Sequence, residues 1–212
     1  YRATKRCADY YQFGFNKDNA PSTFWSTCYS IIQNANIVIN NIDNIAYEGE
    51  DEEGKILFAA YRNDLKGQAL AIRALALFDI TRLYGYPYLK DNGASLGGAI
   101  VEEVVDVTYK PKRSTVAQCY GKIIEYLTKA IPLLATEKEK EDWLAKSIKG
   151  KMNKWSAMTL LSRVYLYKGD NTNALKMAEE AIGGAEQDGY RLWTNDEYVE
   201  AWAKDFTSEV FF

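Results

Sequence analysis

The side chains that could perform chemistry in this sequence are mainly carboxylates and tyrosines, because its 212 residues include no histidine. Histidine is the commonest general base and metal ligand in proteins, so its absence excludes a Ser-His-Asp triad, a Cys-His dyad and a histidine-containing zinc site. A glycosidase needs only two carboxylates, but no spacing among the 29 Asp and Glu residues marks such a pair. The sequence therefore predicts no enzymatic activity, no catalytic residue, no metal site and no cofactor.

The cysteines do not form a recognisable reactive or metal-binding pattern. Cys7, Cys28 and Cys119 are odd in number and widely separated, and no CxxC motif is present. Cys28 and Cys119 fall at apolar positions of helical patterns, which predicts buried free thiols. At most one disulfide could form among the three cysteines.

Aromatic residues make up 14% of the chain, including 16 tyrosines and 5 tryptophans. Most are expected in the core or between helices, but aromatic side chains on loops could stack on flat ligand faces, including sugar rings. The net charge of −3 gives no reason to expect a nucleic-acid partner. No apolar run is long enough to span a bilayer. The acidic stretch 46–54 is interpreted as a solvated loop, with a cation site as the alternative, because it lacks the order of an EF-hand loop.

Helical periodicity dominates the chain and predicts an all-α fold built from antiparallel helix pairs. The most informative stretch is 67–89, whose apolar residues cover several faces of a helix, so this helix should be buried. It is followed by a turn rich in tyrosine and glycine. Helices are expected over about 23–45, 55–84, 115–134, 151–168, 172–182 and 194–204. Residues 85–112 lose this periodicity and could contain short extended pieces.

Several local signals fix where the predicted helices begin and end. Capping boxes at Thr115–Gln118 and Thr194–Glu197 predict helix starts. Pro132 predicts a kinked last turn in the helix that contains it. Gly169 is typical of a helix end, and Gly183-Gly184 is taken as the end of the following helix.

Residues 161–182 fit one tetratricopeptide unit around its turn. Leu161 and Tyr165 lie on the first helix, and the alanines of the second helix would allow the two helices to approach closely. Such units stack helices and present surfaces, without chemistry of their own. This segment predicts tetratricopeptide-like packing.

Taken together, these segments resemble the N-terminal portion of the SusD/RagB family. The resemblance is carried, in the expected order, by YSIIQNANIVINNI (29–42), KGQALAIRALALFDITRLYGYPYL (66–89), RST with a following Tyr (113–120), KWSAMTLLSRVYLYKGD (154–170) and SEVFF (208–212). Two positions depart from the family pattern: Gln68 replaces an acidic residue, and Ile72 replaces the preferred Leu. The resemblance touches most of residues 24–212.

The resemblance implies a single SusD-like N-terminal helical domain over 1–212, truncated before its C-terminal half. It also implies a non-catalytic surface lipoprotein of the outer membrane of Bacteroidetes-type bacteria, with a lipid anchor that is absent from this chain. Such proteins capture oligosaccharides or polysaccharides for a SusC-like TonB-dependent transporter. The alternatives are a tetratricopeptide-type module that binds a protein, and a SusD-like protein that binds another nutrient.

A glycan site of this kind would combine aromatic faces with amides, carboxylates and arginines. The expected ligand-binding residues are aromatic and amide side chains in polar segments or near the first helix start: Tyr11, Phe13, Asn16, Trp25 and Trp143. Packing against the helices is the alternative role for each aromatic residue. Arg73 and Arg82 lie on the nearly apolar central helix, where an unpaired arginine is costly, so salt bridges to Asp64 or Asp79 are expected.

Overall fold

The protein is all-α, as predicted, throughout the part that its computed structural model describes, residues 22–106, 108–136, 139, 150–204 and 208–210. The helices are α1 (Ser22–Asn41), α2 (Glu52–Tyr84), α3 (Tyr88–Asp91), α4 (Val116–Ala130), α5 (Lys154–Lys168), α6 (Asn171–Gln187) and α7 (Asn195–Ala201), and a 3₁₀ turn spans Ile42–Asn44. Among these residues no strand forms, and an isolated bridge joins Leu96 to Thr115. None of the helices in the described part is long and apolar enough to cross a membrane.

Helix α2 is the centre of the fold, and it contacts α1 on one side and α4 on the other. Its buried residues cover several faces, as the sequence predicts, and include Leu70, Ala71, Ala74, Leu77 and Ile80. Ala71 and Ala74 are completely buried, because small side chains let neighbouring helices approach closely. The expected stripe of α1, which includes Cys28 and Ile32, packs into the same core.

An aromatic cluster links four helices around Phe78. Its ring centroid lies 5.9 Å from that of Tyr120 on α4 and 5.5 Å from that of Tyr167 on α5. Tyr88 of α3 lies 5.2 Å from Tyr120. All three pairs meet edge to face, the arrangement that aromatic quadrupoles favour. The cluster therefore fixes α2, α3, α4 and α5 relative to one another.

Helix α4 ends earlier than its apolar pattern suggests. The pattern extends to Leu134, but the α-helix ends at Ala130 and residues 131–133 form a turn. Pro132 has no N–H to continue the helix and clashes with the preceding turn, so it ends the helix instead of kinking it. Asp64 of α2 accepts a hydrogen bond of 3.0 Å from the backbone N–H of Ala135 and so fixes the chain after this turn.

Helices α5 and α6 form the predicted tetratricopeptide-like pair. Gly169, with φ of +83°, ends α5 in the left-handed conformation that favours glycine. The predicted end of α6 at Gly183-Gly184 is wrong, because the helix continues to Gln187. A Cβ atom on Gly184 would overlap the ring of Trp155. Gly184 therefore serves close helix packing and does not end the helix.

Gly184→Ala is expected to lower the free energy of unfolding by about 1–3 kcal/mol, because the new methyl group overpacks against Trp155. Gly183→Ala is the matched control, since a Cβ atom there meets nothing within 4 Å. This control should raise stability by about 0.5–1 kcal/mol through improved helix propensity. Urea unfolding of both variants checks the expectation, and equal effects of the same sign would contradict it.

Candidate functional site

A groove of about 910 Å³ lies between α1 and the described residues of segment 99–113, which are 99–106 and 108–113 and are irregular. It is lined by aromatic, amide and charged side chains that include Trp25, Tyr29, Gln33, Asp106, Tyr109 and Arg113. Its walls come from one helix and one segment without regular secondary structure. The shape of the groove therefore depends on the contacts that hold this segment against α1.

Polar side chains on one face of α1 hold the segment through its backbone. The Tyr29 hydroxyl accepts a 2.7 Å hydrogen bond from the N–H of Ala99 and donates to its carbonyl at 3.1 Å. Gln33 Nε2 donates to the carbonyl of Val105 at 2.8 Å. Asn36 Nδ2 donates to the carbonyls of Val101 and Glu103, both at 3.0 Å. These side chains satisfy backbone groups that a sheet would otherwise pair.

Tyr29, Gln33, Asn36 and Asn40 are spaced at steps of four, three and four residues, so they share one helix face. The last of them extends the row, because Asn40 Nδ2 donates to the Glu103 carboxylate at 3.1 Å. This row of one tyrosine and three amide side chains on α1 thus fixes the path of residues 99–105.

Arg113 fixes the other end of the segment. Its Nε donates to the carbonyl of Gly97 at 2.7 Å, and its Nη2 donates to the carbonyls of Tyr84 and Leu96 at 2.9 and 3.0 Å. A Cβ atom on Gly98 would lie 3.0 Å from the side chain of Ile80, so this glycine permits a close approach to the core. Because Tyr84 is the last residue of α2, its hydrogen bond with Arg113 attaches the segment to the end of that helix.

The aromatic wall consists of Trp25 and its neighbours. The Trp25 ring is half-buried and lies 5.0 Å from the Tyr29 ring and 4.9 Å from the Tyr84 ring. Tyr109, across the groove, is 52% exposed. Trp25 is held in place by two aromatic contacts, and Tyr109 offers an accessible aromatic surface, as stacking on a ligand requires.

Among the described lining residues, the groove contains one carboxylate and one guanidinium, from Asp106 and Arg113. Hydrogen bonds from the Thr108 side chain and backbone lower the pKa of Asp106, so its carboxylate is charged at neutral pH. Asn34 and Ser30 add uncharged polar groups. This mixture of aromatic, amide and balanced charged groups suits a neutral, hydroxyl-rich ligand better than a polyanion.

Of the residues predicted to bind ligand, Trp25 lies in the groove. Tyr11, Phe13, Asn16 and Trp143 lie outside the described residues, and their roles stay predictions. Sequence reasoning missed Tyr29, Gln33, Tyr109 and Arg113. The row of amides at helical spacing was a usable signal for part of this site, because such a row on an otherwise apolar helix needs partners.

The two arginines of α2 have different partners. The expected ion pair of Arg82 is confirmed, because its Nη2 lies 2.8 Å from Asp79 Oδ1. The same expectation is wrong for Arg73, whose Nη1 donates to Asn36 Oδ1 at 2.8 Å while its guanidinium lies 3.9 Å from the centroid of the Tyr126 ring. An amide oxygen and an aromatic face take the place of a carboxylate.

The remaining reactive groups are buried or dispersed. Cys28 and Cys119 are buried free thiols, as predicted, and burial raises the pKa of both. Protonated buried thiols are poor nucleophiles. Within the described residues, no group of three or more Cys, Asp and Glu side chains is placed to hold a metal ion.

The Tyr29 hydroxyl is expected to make the stability of the folded protein depend on pH in the alkaline range. Burial raises the pKa of Tyr29 from 10.0 to about 12. A group whose pKa is higher in the folded state contributes stability below its unfolded pKa and loses it as the pH rises through the folded value. We therefore expect Tyr29→Phe to reduce the loss of stability between pH 10 and 12. Denaturant unfolding across this range checks it, and an unchanged pH dependence in the variant would contradict it.

The fold and the groove define an all-α protein with tetratricopeptide-like helix packing and a surface groove along its first helix. The SusD-like family described as "Starch-binding associating with outer membrane" matches residues 3–166. The chain belongs to this SusD/RagB family. No curated protein matches the chain.

Solved structures agree with this assignment. A candidate sugar-binding protein of Bacteroides vulgatus ATCC 8482 is 54% identical, with a TM-score of 0.83 over 98% of this chain and 43% of its own. A SusD superfamily protein of the same organism is 38% identical, with a TM-score of 0.80 over 97% of this chain and 44% of its own. A laminarin-binding SusD-like protein shares the fold, with a TM-score of 0.71 at 22% identity over 96% of this chain and 39% of its own. The chain thus spans less than half the length of these proteins.

Proposed function

We propose that this chain is the N-terminal helical part of a non-catalytic glycan-binding protein, and that the groove between α1 and segment 99–113 contributes to its binding site. The family description names starch, and the relative with the same fold is named for binding laminarin. The coverage of 43% and 44% of the two Bacteroides vulgatus proteins supports a longer natural chain. The remaining part would complete the site.

The observation that carries this proposal is the fixed aromatic wall beside a segment already held by hydrogen bonds. Trp25 and Tyr109 offer faces that can stack on sugar rings. The lining residues Asn34, Ser30 and Arg113 carry polar groups that suit hydroxyl groups. Because Tyr29, Gln33 and Asn36 already fix the backbone, little conformational entropy would be lost on binding.

The family description supports an outer-membrane location. We propose that the whole protein is a surface-exposed lipoprotein, anchored by a lipid, that passes captured oligosaccharides to a SusC-like TonB-dependent transporter. The helical scaffold would contact the transporter, while the groove would contact the glycan.

Affinity electrophoresis in gels containing starch or laminarin tests this function, both for the 212-residue chain and for the longer protein that contains it. We expect the longer protein to be retarded by at least one of these glucans. If neither form is retarded by any neutral polysaccharide while the longer protein binds a protein partner, the glycan-binding proposal is wrong and the protein-interaction alternative holds.

A further inference from the structure

Arg73 lies beneath the groove and does not line it. The residue is 5% exposed, and its guanidinium rests on the ring of Tyr126, which is also buried. Its Nη1 donates to Asn36 Oδ1 at 2.8 Å. A buried arginine thus touches the one residue that holds both Val101 and Glu103.

This contact dictates the orientation of the Asn36 amide. Arginine can only donate hydrogen bonds, and the carbonyls of Val101 and Glu103 can only accept them. Asn36 must therefore turn its oxygen toward Arg73 and its two N–H groups toward the carbonyls. The opposite orientation would place donors against the guanidinium and an oxygen against two oxygens, leaving buried polar groups unsatisfied. Asn36 is completely buried, so water cannot replace these partners.

The positive charge of Arg73 also interacts with acidic residues of the segment and of α4. Burial lowers the pKa of Arg73, and the charges of Glu102, Glu125 and Glu103 oppose this shift. Glu102 is also paired with Lys122 at 3.1 Å. This ion pair joins the segment to α4 beside Arg73 and Tyr126.

We propose that Arg73 is a positioning residue for the groove, acting through Asn36 to fix the wall formed by residues 99–105. Its effect on a ligand rests on the proposed glycan-binding function, whereas its effect on the segment does not. Arginine suits this role because one planar group both stacks on Tyr126 and donates to Asn36.

Hydrogen exchange of the Arg73→Met variant tests the effect on the segment. The reporters are the amide hydrogens of Ala99 and Val105, which are bonded to Tyr29 and Gln33. We expect both amides to exchange about tenfold faster, because a tenfold change corresponds to the loss of roughly one net hydrogen bond. Arg82→Met is the matched control, because Arg82 lies on the same helix and stacks near Phe78 but has no contact with Asn36. The control should leave these two amides unchanged.

Asn36→Asp provides a second variant that should stay folded. Its carboxylate would pair with Arg73 but could not donate to the two carbonyls, so exchange at Ala99 and Val105 should again rise about tenfold. Arg73→Lys, which keeps a donor, should give a smaller rise than Arg73→Met.

Unchanged exchange in both Arg73→Met and Asn36→Asp would overturn the positioning role. An increase in Arg82→Met equal to that in Arg73→Met would also overturn it.

Affinity for laminarin, measured on the longer protein, should fall about tenfold in Arg73→Met. If exchange rises but wild-type protein binds no glucan, the proposed function fails and the positioning role stands. If wild-type protein binds and Arg73→Met binds equally well, the role in ligand binding is wrong.

Discussion

Phe78→Ala is expected to lower the free energy of unfolding by about 3–5 kcal/mol. The side chain is completely buried and meets the rings of Tyr120 and Tyr167 edge to face. Truncation would remove these contacts and leave a cavity that rigid helices cannot close. Because the cluster joins four helices, the loss should appear in global unfolding, measured with urea and circular dichroism.

Leu83→Ala is the control for this substitution, since Leu83 lies on the same helix but is largely exposed. It should change stability by no more than about 0.5 kcal/mol. A Phe78→Ala effect no larger than that of Leu83→Ala would show that the aromatic cluster does not hold the helices together.

Trp25→Ala is expected to weaken glycan binding by about 2 kcal/mol or more, which is about thirtyfold in the dissociation constant. Trp25 is the predicted ligand residue that the groove contains, and its contacts with Tyr29 and Tyr84 hold its ring before any ligand arrives. An ordered aromatic face loses little entropy on stacking, so its removal should be costly. Isothermal titration with laminarin oligosaccharides on the longer protein would measure the change.

Phe24→Ala provides a matched control for Trp25→Ala. Phe24 precedes Trp25 on α1 and is an aromatic residue of comparable size, but it does not line the groove. Its substitution should leave affinity within about twofold, a difference of roughly 0.4 kcal/mol. Equal losses in the two variants would indicate a general disturbance of α1 and would remove Trp25 from the proposed site.

The helical scaffold could be predicted because its signals are local. The apolar pattern of α2 predicts a start near residue 55 and an end at 84, and the helix spans Glu52–Tyr84. Capping boxes at Thr115 and Thr194 lie where the sequence places them. Each of these features depends on residues only a few positions apart.

The errors arose where a distant contact decides the structure. Gly183-Gly184 is a common stop signal, but the contact of Gly184 with Trp155, 29 positions earlier in the chain, keeps the helix continuous. The sequence predicts a carboxylate partner for Arg73, but its Nη1 donates to Asn36 Oδ1 on another helix. Helix α3 is only one turn long, too short for any periodicity to reveal.

The groove was only partly predictable for the same reason. Trp25 could be proposed because it stands near a helix start, whereas the roles of Tyr29 and Gln33 depend on a segment 70 or more positions later in the chain. Segment 99–113 has no periodic pattern of its own, because side chains of α1 bind its backbone. At its far end, Arg113 binds the carbonyl of Gly97, which precedes the segment. The path of the segment is set by tertiary contacts.

Hydroxyl-radical footprinting of the longer protein, with and without starch or laminarin oligosaccharides, shows whether the groove between α1 and segment 99–113 binds glycan. We expect Trp25 and Tyr109 to become protected from oxidation when the glycan binds. Tyr198 of α7 is the internal reference, because its exposure of 52% equals that of Tyr109, and its oxidation should not change. Saturable glycan binding that leaves Trp25 and Tyr109 unprotected would show that the binding site lies outside this groove.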